Sequence, residues 1–186
     1  MKIMRLLILD LDGTVRLGFD ELGRFVNGPE DVAIFPEVVD RMRDFKARNG
    51  RIIGVTNQGG IALGHTTEQA VIEGLLRTDA LTGPGTFDAL QYCPHFPVTV
   101  ELDETDVKRF TPCWCRKPRP GMVITALREL QGRYRDECYP PEYAVVVGDR
   151  DEDQGLARSL GVEFRWAKDW REVGLSWPHP MPEPGP

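Results

Sequence analysis

The sequence contains no long hydrophobic run. No segment approaches the roughly 20 consecutive apolar residues that a helix needs to cross a bilayer. The apolar run near the N-terminus, residues 6–9, is too short for a signal peptide and ends at the acidic Asp10. We therefore expect a cytoplasmic protein without a membrane segment, whose cysteines are reduced and available to bind a metal.

The sequence also lacks a surplus of basic residues. Its formal net charge is −6, whereas nucleic-acid-binding proteins usually carry an excess of positive charge. This balance favours a small substrate. One short stretch is nevertheless basic, and it predicts either a local anion-binding site or a solvated loop. Its basic residues are Lys108, Arg109, Arg116, Lys117 and Arg119.

Length and composition indicate one compact domain. We expect it to span residues 1–172 and to be followed by a proline-rich tail, residues 173–186, that is extended or disordered. Nothing in the sequence fixes the oligomeric state.

Three short apolar runs end in polar residues. Residues 6–9, 51–55 and 143–147 are each typical of a buried parallel strand. Helical patterns alternate with them, beginning at Pro36, Thr66, Pro120 and about Glu152. This alternation predicts an α/β fold, a doubly wound parallel sheet with helices on both faces. Ligands bind such sheets beyond the carboxyl ends of the strands, so the polar residues there should meet.

Two further segments carry local predictions. Residues 13–35 are rich in glycine and predict a small loop or hairpin that covers the site. Thr66 stands three residues before Gln69, which predicts a capping box at the start of the second helix.

Asp10 and Asp12 follow the first predicted strand. Side chains two positions apart on an extended chain face the same way, so the two carboxylates should converge on one pocket. Their repulsion indicates a cation between them, a protonated acid, or both. The alternative is that these acids only cap a turn or a helix.

The segment Asp10-Leu11-Asp12-Gly13-Thr14 is followed in order by Thr56-Asn57, Lys117 and Gly148-Asp149. This series resembles the four motifs of the haloacid dehalogenase (HAD) superfamily, and is similar to its subgroup III A. That subgroup contains heptose bisphosphate phosphatases, histidinol phosphate phosphatases and polynucleotide 3′-phosphatases. The resemblance implies a phosphatase that acts through an aspartyl phosphate.

The resemblance also implies roles for individual residues. Asp10 would be the nucleophile and Asp12 the acid and base, while Thr56 and Lys117 would contact the phosphate. Asp10, Asp149 and the backbone carbonyl of Asp12 would bind Mg²⁺. Asp153 would orient a metal-bound water or the lysine, although an acid at a helix start is the alternative.

Three of the four cysteines form a set with one histidine. Cys93, His95, Cys113 and Cys115 are a plausible tetrahedral zinc set, and their order matches the zinc loop of the heptose and histidinol enzymes. A site with four protein ligands is structural, so it would pin residues 93–115 and aim Lys117 at the pocket. The alternatives are reduced thiols or a disulfide between Cys93 and Cys113.

The substrate is open between two classes. Asn57 and Arg116 are the predicted substrate-binding residues, and the guanidinium suits the second phosphate of a small bisphosphate. However, Leu11 stands where the heptose enzymes carry arginine, and the Asp-x-Gly-Tyr-Val segment of those enzymes is absent. Residues 23–31 and 162–170 instead resemble polynucleotide 3′-phosphatases, which makes a nucleic-acid 3′ end the alternative. Trp166 and Trp170 would then stack on a base or simply pack.

Overall fold

A computed structural model of the protein describes residues 1–97 and 113–177, apart from the side chain of Asp20. Within these residues the strands are β1 (Lys2–Ile3), β2 (Leu6–Asp10), β3 (Arg51–Asn57), β4 (Ala89–Cys93), β5 (Glu137–Cys138), β6 (Ala144–Gly148) and β7 (Glu163–Trp166). The helices are α1 (Phe19–Leu22), α2 (Pro36–Ala47), α3 (Gly60–Leu63), α4 (Glu68–Thr82), α5 (Gly121–Arg133), α6 (Asp151–Leu160) and α7 (Ala167–Val173). Two 3₁₀ turns cover Pro29–Asp31 and Pro141–Tyr143.

The main sheet has five parallel strands in the order β4-β3-β2-β6-β7, and β1 pairs separately with β5. Strand β2 lies at the centre, with Leu9 opposite Gly54 on one side and Val147 on the other. The predicted α/β fold with a parallel sheet is confirmed. This order brings the carboxyl ends of β2, β3 and β6 side by side at one edge.

Alternate residues of β2 pack against helices on opposite faces of the sheet. Leu7 and Leu9 belong to a cluster that includes buried residues of α2, α4 and α7. Leu6 and Ile8 belong to a second cluster, with buried residues of α5 and α6. Every residue of β2 is buried, so the strand is fixed by packing on both faces and delivers Asp10 to the edge of the core.

The predicted loop or hairpin over residues 13–35 is present. Arg16 forms an antiparallel bridge with Ile34, and the backbone N–H of Leu17 donates to the carbonyl of Ala33. The short helix α1 lies inside this loop.

The predicted start of α4 was wrong by one residue. Its N-cap is Thr67, whose hydroxyl accepts a hydrogen bond from the backbone N–H of Ala70 at 3.1 Å. The Thr66 hydroxyl instead donates to the carbonyl of Asn27, and the Gln69 amide donates to Glu73. A tertiary contact therefore takes the threonine that the capping-box pattern had indicated.

The C-terminal end of the described chain packs on the domain. After α7, the Trp177 ring stacks on Phe45 at 5.9 Å and lies 5.1 Å from the Arg5 guanidinium. Residues 178–186, which hold most of the predicted proline-rich tail, lie outside the described residues, and the boundary at residue 172 stays a prediction. In the described ranges no helix has the length and apolar character needed to cross a membrane.

Candidate active site

Four predicted site residues meet at the carboxyl edge of the sheet. Asp10 ends β2, Thr56 and Asn57 end β3, and Asp149 follows β6. Gly13 has a φ of +85°, and a Cβ atom there would collide with the Asp149 carboxylate. Glycine is therefore required both for the backbone conformation and for the close approach of the two loops.

Lys117 joins the nucleophile candidate to a second acid. Its Nζ atom contacts Asp10 Oδ1, lies 2.7 Å from Asp153 Oδ1 and donates to the carbonyl of Val55 at 3.3 Å. Burial alone lowers the pKa of Lys117, but the carboxylates of Asp10 and Asp153 raise it above its ordinary value. The lysine is a fixed positive charge inside the site.

The acidic cluster fits a cation. Ligand atoms of Asp10, Asp149 and Asp153 all lie within 4.8 Å of one another. Asp10 Oδ2 and Asp149 Oδ1 are buried and have no hydrogen-bond partner among the described residues. Burial raises the pKa of Asp10 well above its ordinary value; Lys117 opposes this shift, and the charges of Asp153 and Asp149 reinforce it. A hard cation with oxygen ligands would satisfy both free oxygens and favour the ionised nucleophile.

Both carboxylate oxygens of Asp153 have partners inside the protein. Oδ1 pairs with Lys117, and Oδ2 accepts the backbone N–H of Arg150 at 3.1 Å, at the start of α6. A Cβ atom on Gly148 would collide with this carboxylate, so glycine allows Asp153 to fold back over the end of β6. Asp153 thus contacts Lys117 and also borders the acidic cluster, and its role in orienting the lysine or a metal-bound water stays a prediction.

Asp12 is held by three side chains. Arg16 donates from Nε to Oδ1 at 2.7 Å and from Nη2 to Oδ2 at 3.1 Å. Oδ2 also accepts the Thr56 hydroxyl at 3.0 Å and the Gln58 amide at 2.9 Å. Burial raises the pKa of Asp12, but Arg16, followed by Thr56, lowers it below its ordinary value. The Thr56 hydroxyl points at Asp12, and its contact with a phosphate stays a prediction.

Sequence analysis missed Arg16 and Gln58. Arg16 is 2% exposed although it is charged, whereas Leu11 is fully buried in the core. The available signal was an arginine between the apolar residues Val15 and Leu17, because a buried arginine requires a carboxylate partner.

The two predicted substrate-binding residues border the site. Asn57 accepts the backbone N–H of Lys117 at 3.0 Å and donates to the carbonyl of Lys117 at 3.4 Å. Arg116 donates to the carbonyl of His95 at 2.9 Å and lies 5.6 Å from the Phe96 ring. Asn57 therefore positions the lysine backbone, and contact of either residue with substrate stays a prediction.

The predicted cysteine and histidine set comes together beside Lys117. Ligand atoms of Cys93, His95, Cys113 and Cys115 lie within 4.8 Å of one another and could hold a metal ion. The Cys93 sulfur lies 3.5 Å from that of Cys113 and 3.1 Å from that of Cys115, so the thiols are not joined by disulfides. Residues 98–112 of the predicted loop, including Lys108 and Arg109, lie outside the described residues.

The residues that suggested a nucleic-acid 3′ end as substrate lie in different places in the structure, and only some of them border the cavity. Trp170 is 2% exposed and belongs to the core cluster under α2, so it packs and cannot stack on a base. Trp166 is partly exposed but lies edge-on to Phe164 at 4.8 Å. Phe25 and Asn27 do border the cavity that contains Asp10. A polynucleotide substrate stays a prediction.

Comparison with known proteins identifies the family. A family model described as HAD-hydrolase-like matches residues 114–166. The chain is 32% identical over 165 residues to a protein from Thermoplasma volcanium named as a probable D-glycero-D-manno-heptose-1,7-bisphosphate 7-phosphatase, covering 87% of this chain and 97% of that relative. The chain belongs to the HAD-like hydrolase family. The predicted membership and the assignment as a phosphoric monoester hydrolase are confirmed.

Other members of the HAD-like family show the same relationship. The D-glycero-beta-D-manno-heptose-1,7-bisphosphate 7-phosphatase of Haemophilus influenzae is 28% identical, over 86% of this chain and 77% of its own. A crystal structure of D,D-heptose 1,7-bisphosphate phosphatase from B. bronchiseptica, complexed with magnesium and phosphate, is 26% identical. It has a TM-score of 0.65 and covers 87% of this chain and 79% of its own.

Proposed function

We propose that the protein is a magnesium-dependent phosphomonoesterase in which Asp10 attacks the phosphorus of a small phosphorylated metabolite. The observation that carries this proposal is the position of Asp10 at the end of β2, paired with Lys117 and beside Asp149. The names of the relatives support a sugar bisphosphate, within the class of sugar bisphosphates and histidinol phosphate.

In the first step an Asp10 oxygen attacks phosphorus, and the bond between phosphorus and the ester oxygen breaks. Asp12 donates its proton to the leaving alcohol, which leaves an aspartyl phosphate on Asp10. Lys117 compensates the negative charge that develops on the phosphoryl oxygens. The protein's own groups thus form one bond, break one bond and move one proton.

In the second step a water molecule attacks the phosphorus of the aspartyl phosphate. Asp12 accepts the water proton, the bond between phosphorus and the Asp10 oxygen breaks, and orthophosphate leaves the restored Asp10 carboxylate. Arg16 and Gln58 hold Asp12 as a carboxylate, which is the form that this step requires. The phosphate dianion of an arriving substrate adds negative charge beside Asp12, which raises its pKa and favours the proton needed in the first step.

The metal sites follow from the donor atoms. Asp10, Asp149 and the backbone carbonyl of Asp12 would hold Mg²⁺, with Asp153 orienting Lys117 from behind. When bound, Mg²⁺ neutralises charge on the phosphate and polarises its oxygens. The unsatisfied oxygens of Asp10 and Asp149 support this ligand set.

The cysteine and histidine set would hold structural Zn²⁺. Tetrahedral zinc with Zn–S bonds of about 2.3 Å separates its sulfurs by about 3.8 Å. The separations of 3.1 and 3.5 Å from Cys93 are slightly shorter, so a small opening of the set accommodates the ion. Because Arg116 and Lys117 follow Cys115 directly, this site would fix the direction in which the lysine enters the pocket.

Phosphate release in the presence of Mg²⁺ tests the proposal. The panel contains heptose 1,7-bisphosphate, histidinol phosphate and an oligonucleotide with a 3′-phosphate. We expect Asp10→Asn to abolish turnover, and Asp40→Asn, at a surface aspartate whose side chain is 76% exposed, to retain it. Acid-quenched wild type should carry one phosphoryl group by mass spectrometry. A near-normal rate from Asp10→Asn would remove the covalent mechanism.

A further inference from the structure

The cavity beyond the acidic cluster has a wall of aromatic and apolar side chains. Its volume is about 320 Å³, and it contains both the Asp10 carboxylate and three phenylalanine rings. The apolar part of its lining consists of Phe19, Phe25, Val26, Leu63 and Phe96. A substrate whose phosphate reaches Asp10 therefore places its leaving group within the same enclosure.

Two of these rings contact each other and still remain exposed to solvent. Phe19 is 43% exposed and Phe25 is 62% exposed, with ring centroids 4.9 Å apart and planes inclined at 40°. Exposed phenyl rings at the mouth of a catalytic cavity leave apolar surface in water that a ligand can cover. The faces of aromatic rings are suited to stacking with another planar ring.

The segment that carries these rings is held in place. The carbonyl of Asn27 accepts the Thr66 hydroxyl at the start of α4, and the Asn27 N–H donates to Asp31 at 3.1 Å. Arg24 pairs with the same Asp31 carboxylate at 2.9 Å. These contacts hold the backbone on both sides of Phe25 in place, which reduces the entropy lost when a ligand stacks on this ring.

Several polar groups of the cavity are already used inside the protein. The Asn57 amide is hydrogen-bonded to the backbone of Lys117, and the Gln58 amide to Asp12 and Thr56. The Thr66 hydroxyl donates to Asn27. A polyhydroxylated chain that lies against these three side chains would lose hydration there without gaining them as partners, and this loss is unfavourable.

We propose that the aromatic lip formed by Phe19 and Phe25, together with Phe96 in the same lining, binds a planar unsaturated ring in the leaving group of a small phosphate monoester. This inference rests on the proposed phosphatase function, and within the proposed class of small metabolites it favours an ester with a planar ring over the sugar bisphosphate that the relatives' names support. The ring stacks on the lip while the phosphate lies against Lys117. Such a substrate contacts both the apolar side chains of the cavity and the charged side chains around Asp10 and Lys117.

The test compares 2-phenylethyl phosphate with propyl phosphate, whose leaving alcohols have similar acidity. We expect wild type to prefer the phenyl ester in kcat/KM, and Phe25→Ala to reduce that preference about 10-fold. Leu76→Ala removes an apolar side chain that is 65% exposed on α4 and does not line the cavity, so it should keep the wild-type preference.

Fructose 1,6-bisphosphate and a 3′-phosphorylated oligonucleotide complete the panel. Preference of wild type for the sugar bisphosphate, or a ratio of phenyl to propyl ester that Phe25→Ala leaves unchanged, would overturn the aromatic subsite while the phosphatase function stands. Preference for the oligonucleotide would overturn the small substrate. No Mg²⁺-dependent hydrolysis of any ester would overturn both the subsite and the proposed function.

Discussion

The contact between Arg16 and Asp12 provides a direct test of how this site is built. Arg16→Met removes the guanidinium but keeps a flexible apolar side chain in the space it fills. The change leaves Asp12 without its two charged donors, at 2.7 and 3.1 Å, while the Thr56 and Gln58 hydrogen bonds remain. We expect the variant to fold with reduced stability and reduced turnover.

The size of the effect follows from burial. Removing one member of a buried ion pair costs about 3–5 kcal/mol. Arg16 is 2% exposed, but the Asp12 side chain is 28% exposed and keeps two other donors, so we expect about 2–3 kcal/mol. In a domain of this size that loss lowers Tm by about 4–12 °C. The less restrained Asp12 should also lower kcat by about 10-fold.

The effect should depend on pH in a defined direction. The pKa of Asp12 is lowered in the folded protein, so its contribution to stability is present above the unfolded pKa of about 3.9 and is lost as pH falls through the folded pKa. The difference in unfolding free energy between wild type and Arg16→Met should have its largest value at pH 7. It should shrink below about pH 4.

Urea unfolding without added Mg²⁺, followed at several pH values, measures this difference. Arg24→Met is the matched control, because Arg24 also pairs with an aspartate but its side chain is 63% exposed. We expect the control to change stability by less than about 1 kcal/mol. Equal stability of wild type and Arg16→Met at pH 7, together with an unchanged kcat, would refute the argument that Arg16 holds Asp12.

Two further predictions concern the metal sites. Asp149→Asn should raise the Mg²⁺ concentration for half-maximal phosphate release by about 100-fold, because a carboxylate ligand is lost; an unchanged magnesium dependence would exclude this residue as a ligand. Cys115→Ser should reduce bound zinc in elemental analysis and lower Tm, whereas Cys138→Ser, outside the ligand set, should change neither. The second prediction would be contradicted if wild-type protein without bound zinc had the same Tm as wild-type protein with zinc bound.

The ligand-bearing motifs could be found from the sequence because strand ends are easily recognised. Short apolar runs followed by Asp10, Thr56 and Asp149 indicate parallel strands, and such strands bring their carboxyl ends to one edge. The cysteine and histidine set was equally visible, since few residue types bind zinc. Neither prediction required knowledge of which helix packs on which face.

Local patterns failed where contacts between distant segments decide between two similar residues. Thr66 and Thr67 can both cap α4, and the contact of Thr66 with Asn27 selected Thr67. Trp166 and Trp170 lie four residues apart, yet one is partly exposed and the other is buried under α2. A difference decided by contacts distant in sequence leaves no local signal.

Apolar periodicity and a fixed order of motifs were enough to predict the family, the parallel sheet and the acids at its edge. The surroundings of those acids depend on tertiary contacts. Arg16 reaches Asp12 because the chain turns back after β2, and the rings of Phe19 and Phe25 border the same cavity, on a loop whose Asn27 carbonyl accepts the Thr66 hydroxyl. Such contacts depend on where side chains from separate segments meet in space, which residue spacing does not specify.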